Sequence, residues 1–473
     1  MVFSSLIFLS LFLPLVLAVY HVVPARAKNP LLLVASLAFY AYGEPVVVFL
    51  FMAEIAWNWA FALGIAKRRG TRAGTALLVA CLVLDLGMLA VFKYAALPFQ
   101  TLSALSGVAF SAPDIALPIG ISFFTFQEIS YIVDVHRGEQ AQRNPLDVGL
   151  YLALFPQMIA GPIVRYSDIA PQLHDRKVTL DDVGDGFVRF CSGLCKKVLI
   201  ANQLGAMADM IFDPGYGAEC AAPLLWFGTI AFALQIYFDF SGYSDMAIGL
   251  ARMFGFRIPE NFNLPYRSAT ATEFWRRWHI SLSSWFRDYV YIPLGGSRRG
   301  AAVTIRNLVI VWALTGLWHG AGWSFVAWGL GWGLLIILEK FVVKPDERPR
   351  GVQIAYHVVF FICMLLLWVL FRAHGFGHAA GMLAGMFSPD SWALASSQLA
   401  WIGTWLGAEW PYLIVGIPLA LGAGRAVANR VDAMGERGNR WRMVGLIVLA
   451  VLTILSISYI VQGAYNPFLY FQF

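Results

Sequence analysis

"FWRRWHISLSSWFRDYVYIPLGGSRRG", residues 274 to 300, packs arginines, one histidine and a dense set of aromatic residues around Pro293-Leu294-Gly295-Gly296-Ser297. The chain around it is 473 residues long, 59% hydrophobic and 13% charged. Soluble domains run near about 25% charged and about 45–50% apolar. The composition is therefore that of an integral membrane protein, in which such a polar knot is costly to keep. Whether the stretch is the edge of a membrane bundle or part of a site decides how the rest of the fold is read.

Working outward, a bilayer core takes about 20 apolar residues per helix. The first run, "VFSSLIFLSLFLPLVLAVYHVV", lacks a basic leader and an A-x-A-like site, so it reads as a first membrane helix rather than a secretory signal. Further runs lie near 30–43, 45–66, 74–96, 115–135, 147–165, 222–240, 305–319, 322–343, 354–372, 411–424 and 443–462. Several are short or broken by Gly and Pro. The pattern predicts an all-α polytopic protein with about ten to twelve membrane helices plus interfacial and re-entrant ones. No long polar stretch separates the runs, so a single domain over 1–473 is expected.

The net charge of +6 would suggest nucleic acid in a soluble protein, but here it falls mostly in short loops, the ordinary pattern of cytoplasmic loops. Arg26 and Lys28, then "KRRGTR" at 67–72, then Arg425, Arg430, Arg437, Arg440 and Arg442 mark the cytoplasmic side. Both termini are then expected outside. Residues 174–200, with Arg176, Lys177, Arg189, Lys196 and Lys197 among apolar neighbours, read as an amphipathic segment at the cytoplasmic face. The five cysteines are scattered; Cys191 and Cys195, at i, i+4 on one helix face, read as packing rather than a zinc site.

Ionisable groups in apolar segments mark function or a paired contact. Four clusters qualify. The first is "LPIGISFFTFQEISYIVDVHRGE", with Glu128 and Asp134 expected to partner basic residues. In "FPQMIAGPIVRYSDI", Gly161-Pro162 breaks a helix and frees backbone groups that only a protein-lined or watery cavity could satisfy. "IYFDFSGYSDMAIGLARMFGF" carries Asp239 and Asp245, whose spacing keeps them off one helix face and favours capping or pairing with an arginine. The fourth joins the opening stretch to "LTGLWHGAGWSFVAWG", residues 314–329, where His319 follows an apolar run and is hemmed by Gly316, Gly320 and Gly322.

Together these residues carry a resemblance. "LPIGISFFTFQEISYIVDV", "FPQMIAGPIVRY", "YFDFSGYSDMAIGLARMFGF", "ENFNLPYRS", "FWRRWHISLSSWFRDYVYIPLGG" and "GLWHGAGWSFVAWG", in that order over about 115–330, with a closing "YFQF", resemble the membrane-bound O-acyltransferase (MBOAT) family in its bacterial alginate O-acetyltransferase and D-alanyl transfer branch. The resemblance implies a helical bundle around a membrane-crossing tunnel with a histidine at its constriction. The family's near-invariant histidine matches His319, and its second signature position matches His279.

The chemistry agrees with what the resemblance implies. Moving an acetyl group from a thioester to a hydroxyl needs a base near the alcohol, and histidine titrates in the right range. The expected donor is acetyl-CoA or an acyl-carrier-protein thioester on the cytoplasmic side, with no permanently bound cofactor and no metal. Arg276 and Arg277 are candidates for steering that anionic donor; the competing reading makes them, with Arg298 and Arg299, a phospholipid-facing edge. The expected acceptor is an extracytoplasmic polysaccharide such as alginate, reached directly or through a secreted acetyltransferase, in a multi-pass protein of the inner membrane. Alternatives are D-alanyl transfer from a carrier protein to a cell-envelope polymer and, in another class, a glycan or lipid-linked sugar transporter or flippase. Against the last, no pair of related halves is visible in the sequence.

Overall fold

The computed structural model describes residues 1–213, 220–393, 396–463, 465, 466 and 469. Every regular element among the described residues is a helix, with no strand among them. Seven helices are long and apolar enough to cross a membrane: Val47–Lys67, Arg72–Tyr94, Ala222–Met253, Ala301–His319, Trp323–Glu347, Arg350–Arg372 and Gly435–Val461. An eighth is formed by Trp410–Ala420 and Ala423–Ala433 if that pair, bent by 59°, counts as one span. The expected ten to twelve are reached only by counting shorter pieces. Phe8–Val22 is apolar but short, Ala25–Ala41 has 17 residues with Pro30 inside, and the 147–165 run holds two short helices followed by a non-helical stretch. Pro and Gly end each of these before it reaches full bilayer length.

The chain, read from sequence as one domain, sorts into two compact units, Met1–Phe190 with Tyr243–Glu260, and Cys191–Gly242 with Asn261–Phe473. In the first, Phe8, Phe39 and Phe155 pack together in a ring cluster, and Phe3 stacks on Tyr243 at 4.6 Å. Here too lies the break at Gly161-Pro162. Residues 159 to 164 leave the helix and are buried, and Tyr151 Oη donates to the Val164 carbonyl at 3.1 Å, so a protein side chain takes up one of the freed carbonyls. Asp245, as expected, pairs with an arginine: Arg189 holds it at 2.8 Å and Glu260 at 2.5 Å.

Glu128 departs from expectation. It is fully buried, both carboxyl oxygens lack a hydrogen-bond partner, and its ionisable neighbours are the carboxyls Glu54 and Asp85, not a base. Asp85 accepts from Trp57 Nε1 at 2.8 Å and Asn58 Nδ2 at 3.0 Å. The helices Val47–Lys67, Arg72–Leu89 and Ile121–Arg137 pack together and bring three acids to one place that no local pattern links.

The second unit carries the aromatic core. Phe274 stacks on Trp332 (5.0 Å, 8° between planes), Trp275 meets Trp312 edge-on at 4.7 Å, and Trp278 meets Trp368 at 5.2 Å. Its buried charge pair is Lys197–Asp239 at 2.6 Å, with the second oxygen of Asp239 accepting from the Leu469 backbone N–H at 3.0 Å. The partner of Asp239 is thus a lysine from the 174–200 segment, not an arginine. Cys195, buried, lies 3.8 Å from Thr453 Oγ1, a packing contact. The closing "YFQF" lies outside the described residues.

Candidate active site

The helices Ala301–His319 and Trp323–Leu338 form a tight hairpin, and its small residues set the approach. A Cβ on Gly316 would collide with the carbonyl oxygen of Phe325, and one on Gly329 with that of Trp312. His319 ends the first helix, with Gly320 extended after it. The imidazole is 4% exposed and boxed by rings: Trp318 at 4.9 Å, Trp328 at 4.9 Å and Phe371 at 5.4 Å.

His279 arrives from the opening stretch. Thr270 starts the short helix Ala271–Arg277 by accepting from the Glu273 N–H at 3.1 Å, and Glu339 accepts from the Ala271 and Thr272 N–H groups. After Arg277 the chain turns extended at Trp278, then left-handed at His279 (φ 43°, ψ 54°), before Ile280–Phe286 resumes the helix. A left-handed backbone is uncommon for a residue other than glycine. It is supported by pairing with 261–263: the Asn263 N–H donates to the Arg277 carbonyl at 2.9 Å and the Ile280 N–H to the Asn261 carbonyl at 3.0 Å. The His279 ring is fully buried, edge-on to Phe240 at 4.7 Å and Trp318 at 5.7 Å. Burial lowers its pKa from 6.5 to about 3, which keeps the imidazole neutral. The His279 and His319 rings lie 6.5 Å apart.

Two cavities lie in the same unit, and neither histidine lines either of them. A polar one of about 610 Å³ is lined by Arg276, Lys340 and Lys344 but also by Glu273, Asp346 and Glu347. A mostly apolar slot of about 140 Å³ is lined by Trp275, Leu282, Trp312 and Thr315 among others. Tyr291 and Leu308 line both. Thr315 stands one turn before His319 on the same helix face.

The two arginines therefore differ. Arg276 lines the polar cavity, whereas Arg277 is bound to Glu273 at 2.8 Å and to the Asn263 carbonyl at 3.2 Å, a structural contact. Sequence reasoning missed Asn261, whose side chain touches His279, and Trp275, whose buried Nε1 has no hydrogen-bond partner and which lines the slot. Asn261 lies 18 residues from His279, and only the pairing of 261–263 with the opening stretch joins them.

The model of the MBOAT, membrane-bound O-acyltransferase family, matches residues 142–367. The chain is 42% identical to the probable alginate O-acetylase of Azotobacter vinelandii over the full length of both. It belongs to the membrane-bound O-acyltransferase family. The peptidoglycan O-acetyltransferase of Helicobacter pylori is 34% identical over 82% of this chain and 80% of its own length. A teichoic acid D-alanyltransferase of Bacillus subtilis is 29% identical over 49% of this chain and 61% of its own. The chain is an O-acyltransferase and a multi-pass membrane protein.

Proposed function

We propose that this O-acyltransferase moves an acetyl group from a cytoplasmic thioester to a hydroxyl of an extracytoplasmic polysaccharide, with alginate the first candidate because the relatives matched over their full length carry that name. His319 is the general base that takes the hydroxyl proton as the oxygen attacks the thioester carbonyl; the thiolate leaves with the acyl bond broken and takes up a proton. His279, neutral and beside it, hydrogen-bonds the reacting groups. The donor, acetyl-CoA or the phosphopantetheine arm of a carrier protein, enters by the polar cavity, where Arg276 with Lys340 and Lys344 meets its phosphate, and its arm lies in the slot toward Thr315. The polysaccharide receives the acetyl directly or through a secreted acetyltransferase, from a protein of the inner membrane.

The observation that carries this reading is the meeting of two buried histidines 6.5 Å apart from segments 40 residues distant, with an apolar slot that begins at Thr315, one turn before His319. A sugar transporter gives no reason for that pair. The test is purified protein in detergent with an acetyl thioester. Wild type is expected to transfer or hydrolyse the acetyl group, and His319→Ala to lose about 10²–10⁴-fold, the usual worth of a general base. Wild-type rates in His319→Ala would remove the base role, and no thioester turnover in either would favour transport.

A further inference from the structure

The side chain of Asn261 does more than close a loop. Its Oδ1 lies 3.2 Å from the Ser281 backbone nitrogen, 2.9 Å from Ser281 Oγ and 3.2 Å from His279 Nδ1. A backbone N–H is a donor only, so the atom it meets on the amide is the oxygen; the orientation of Asn261 is fixed by the main chain and not by choice. An amide oxygen accepts and never donates. The nitrogen of His279 that faces it must then carry the hydrogen. With Asn261 fully buried and Ser281 6% exposed, no solvent competes for that bond.

We propose that Asn261 is a positioning residue of the acyltransferase site: its side-chain oxygen holds His279 as the Nδ1–H tautomer, leaving the Nε2 lone pair to accept a hydrogen bond from a reacting group. This rests on the reading that His279 takes part in transfer. The left-handed backbone at His279 belongs to the same device, because it places residues 279 and 281 around one acceptor. A neutral imidazole has two tautomers of similar energy in water, and without an acceptor at Nδ1 part of the population would present a hydrogen where a lone pair is needed.

The experiment uses the full-length protein in detergent, with Asn261→Ala, Asn261→Asp and His279→Ala, each checked for yield and melting. ¹⁵N spectra of histidine-labelled protein read the tautomer, and turnover at saturating donor is followed against pH. Wild type is expected to show a protonated Nδ1 at His279. Asn261→Ala is expected to show a mixed tautomer and turnover lower by about 10–100-fold, by analogy with the partners that orient metal-ligating histidines. Asn261→Asp keeps an acceptor and is expected to recover most of the turnover, with the acidic limb of the profile moved to higher pH because a carboxylate favours the imidazolium. A merely structural role would move neither tautomer nor pH limb. Wild-type tautomer and turnover in Asn261→Ala overturn the inference, as does an Asn261→Asp protein that melts normally yet is no more active than Asn261→Ala. If Asn261→Ala does not fold, Asn261→Asp decides alone: an unmoved pH limb counts against it. Should His279→Ala itself turn over like wild type, the reading of His279 fails instead.

Discussion

Each unit buries a set of ionisable side chains, and the two sets are built differently. In the first, Glu54, Asp85 and Glu128 come from three packed helices, and Glu128 has no hydrogen-bond partner for either oxygen. In the second, His279 and His319 sit in a box of rings, one of them anchored by Asn261, with a cavity lined one turn from His319. Burial of a polar group in a membrane bundle is thus not itself the mark of a site. On the proposed reading the second set is distinguished by a histidine whose tautomer is held by Asn261 and by a slot that begins one turn from the other histidine.

The Lys197–Asp239 pair supplies a third case, a buried carboxylate facing a buried ammonium, and gives the largest effect. Lys197→Met strands the Asp239 carboxylate and is expected to lower stability by about 3–5 kcal/mol, as breaking a buried pair does; the change in melting temperature measures it. Replacing both residues with apolar ones should recover most of that loss. An unchanged melting point in the single variant would mean the pair is not buried as described.

The histidines make the next test. His279 has its pKa lowered on folding, so the unfolded chain binds the proton first as pH falls, and stability drops between about 6.5 and about 3. The slope from this one group approaches about 1.4 kcal/mol per pH unit. His279→Gln should flatten the acid side of the melting profile. An identical profile would show that folding does not lower the pKa of this imidazole.

Smaller still is the expected split of the two arginines. Arg276→Gln should raise the apparent donor KM several-fold at low salt and less at high salt, since exposed charges are screened over about 10 Å at 0.1 M. Arg277→Gln should change donor affinity little and melting slightly, because it breaks a partly exposed pair worth about 0.2–1 kcal/mol. Equal KM effects from both would return Arg277 to the cavity. Glu128→Gln should do least: the amide has the same shape and carries no charge to desolvate, so transfer is expected within about twofold of wild type. A large loss of turnover would make the acid set a second functional centre and end the contrast.

Much of this was legible in the sequence, for local reasons. The apolar runs of Val47–Lys67, Arg72–Tyr94 and Arg350–Arg372 stand out by length and composition alone. His319 is conspicuous between glycines that a close helix hairpin requires. What was not legible depends on pairing between distant segments. The lysine partner of Asp239, the acid neighbours of Glu128 and the hold of Asn261 on His279 lie 42, 43 to 74 and 18 residues away along the chain. Helical periodicity places a residue on a face but does not say which face meets it. The Pro and Gly in the 30–43 and 147–165 runs marked them as short or broken in sequence, and the helices 25–41 and 145–158 are indeed shorter than a full span.

The central claim is that the two histidines act in one chemical step. A double-mutant cycle measures this directly: turnover at saturating acetyl thioester for His279→Ala, His319→Ala and the double variant, in protein of matched yield and melting point. Residues acting as a unit are strongly non-additive, so the double variant is expected to be about as slow as His319→Ala alone. Losses that multiply, with the double variant slower by the product of the two single effects, would mean that the histidines serve separate steps and would contradict the account.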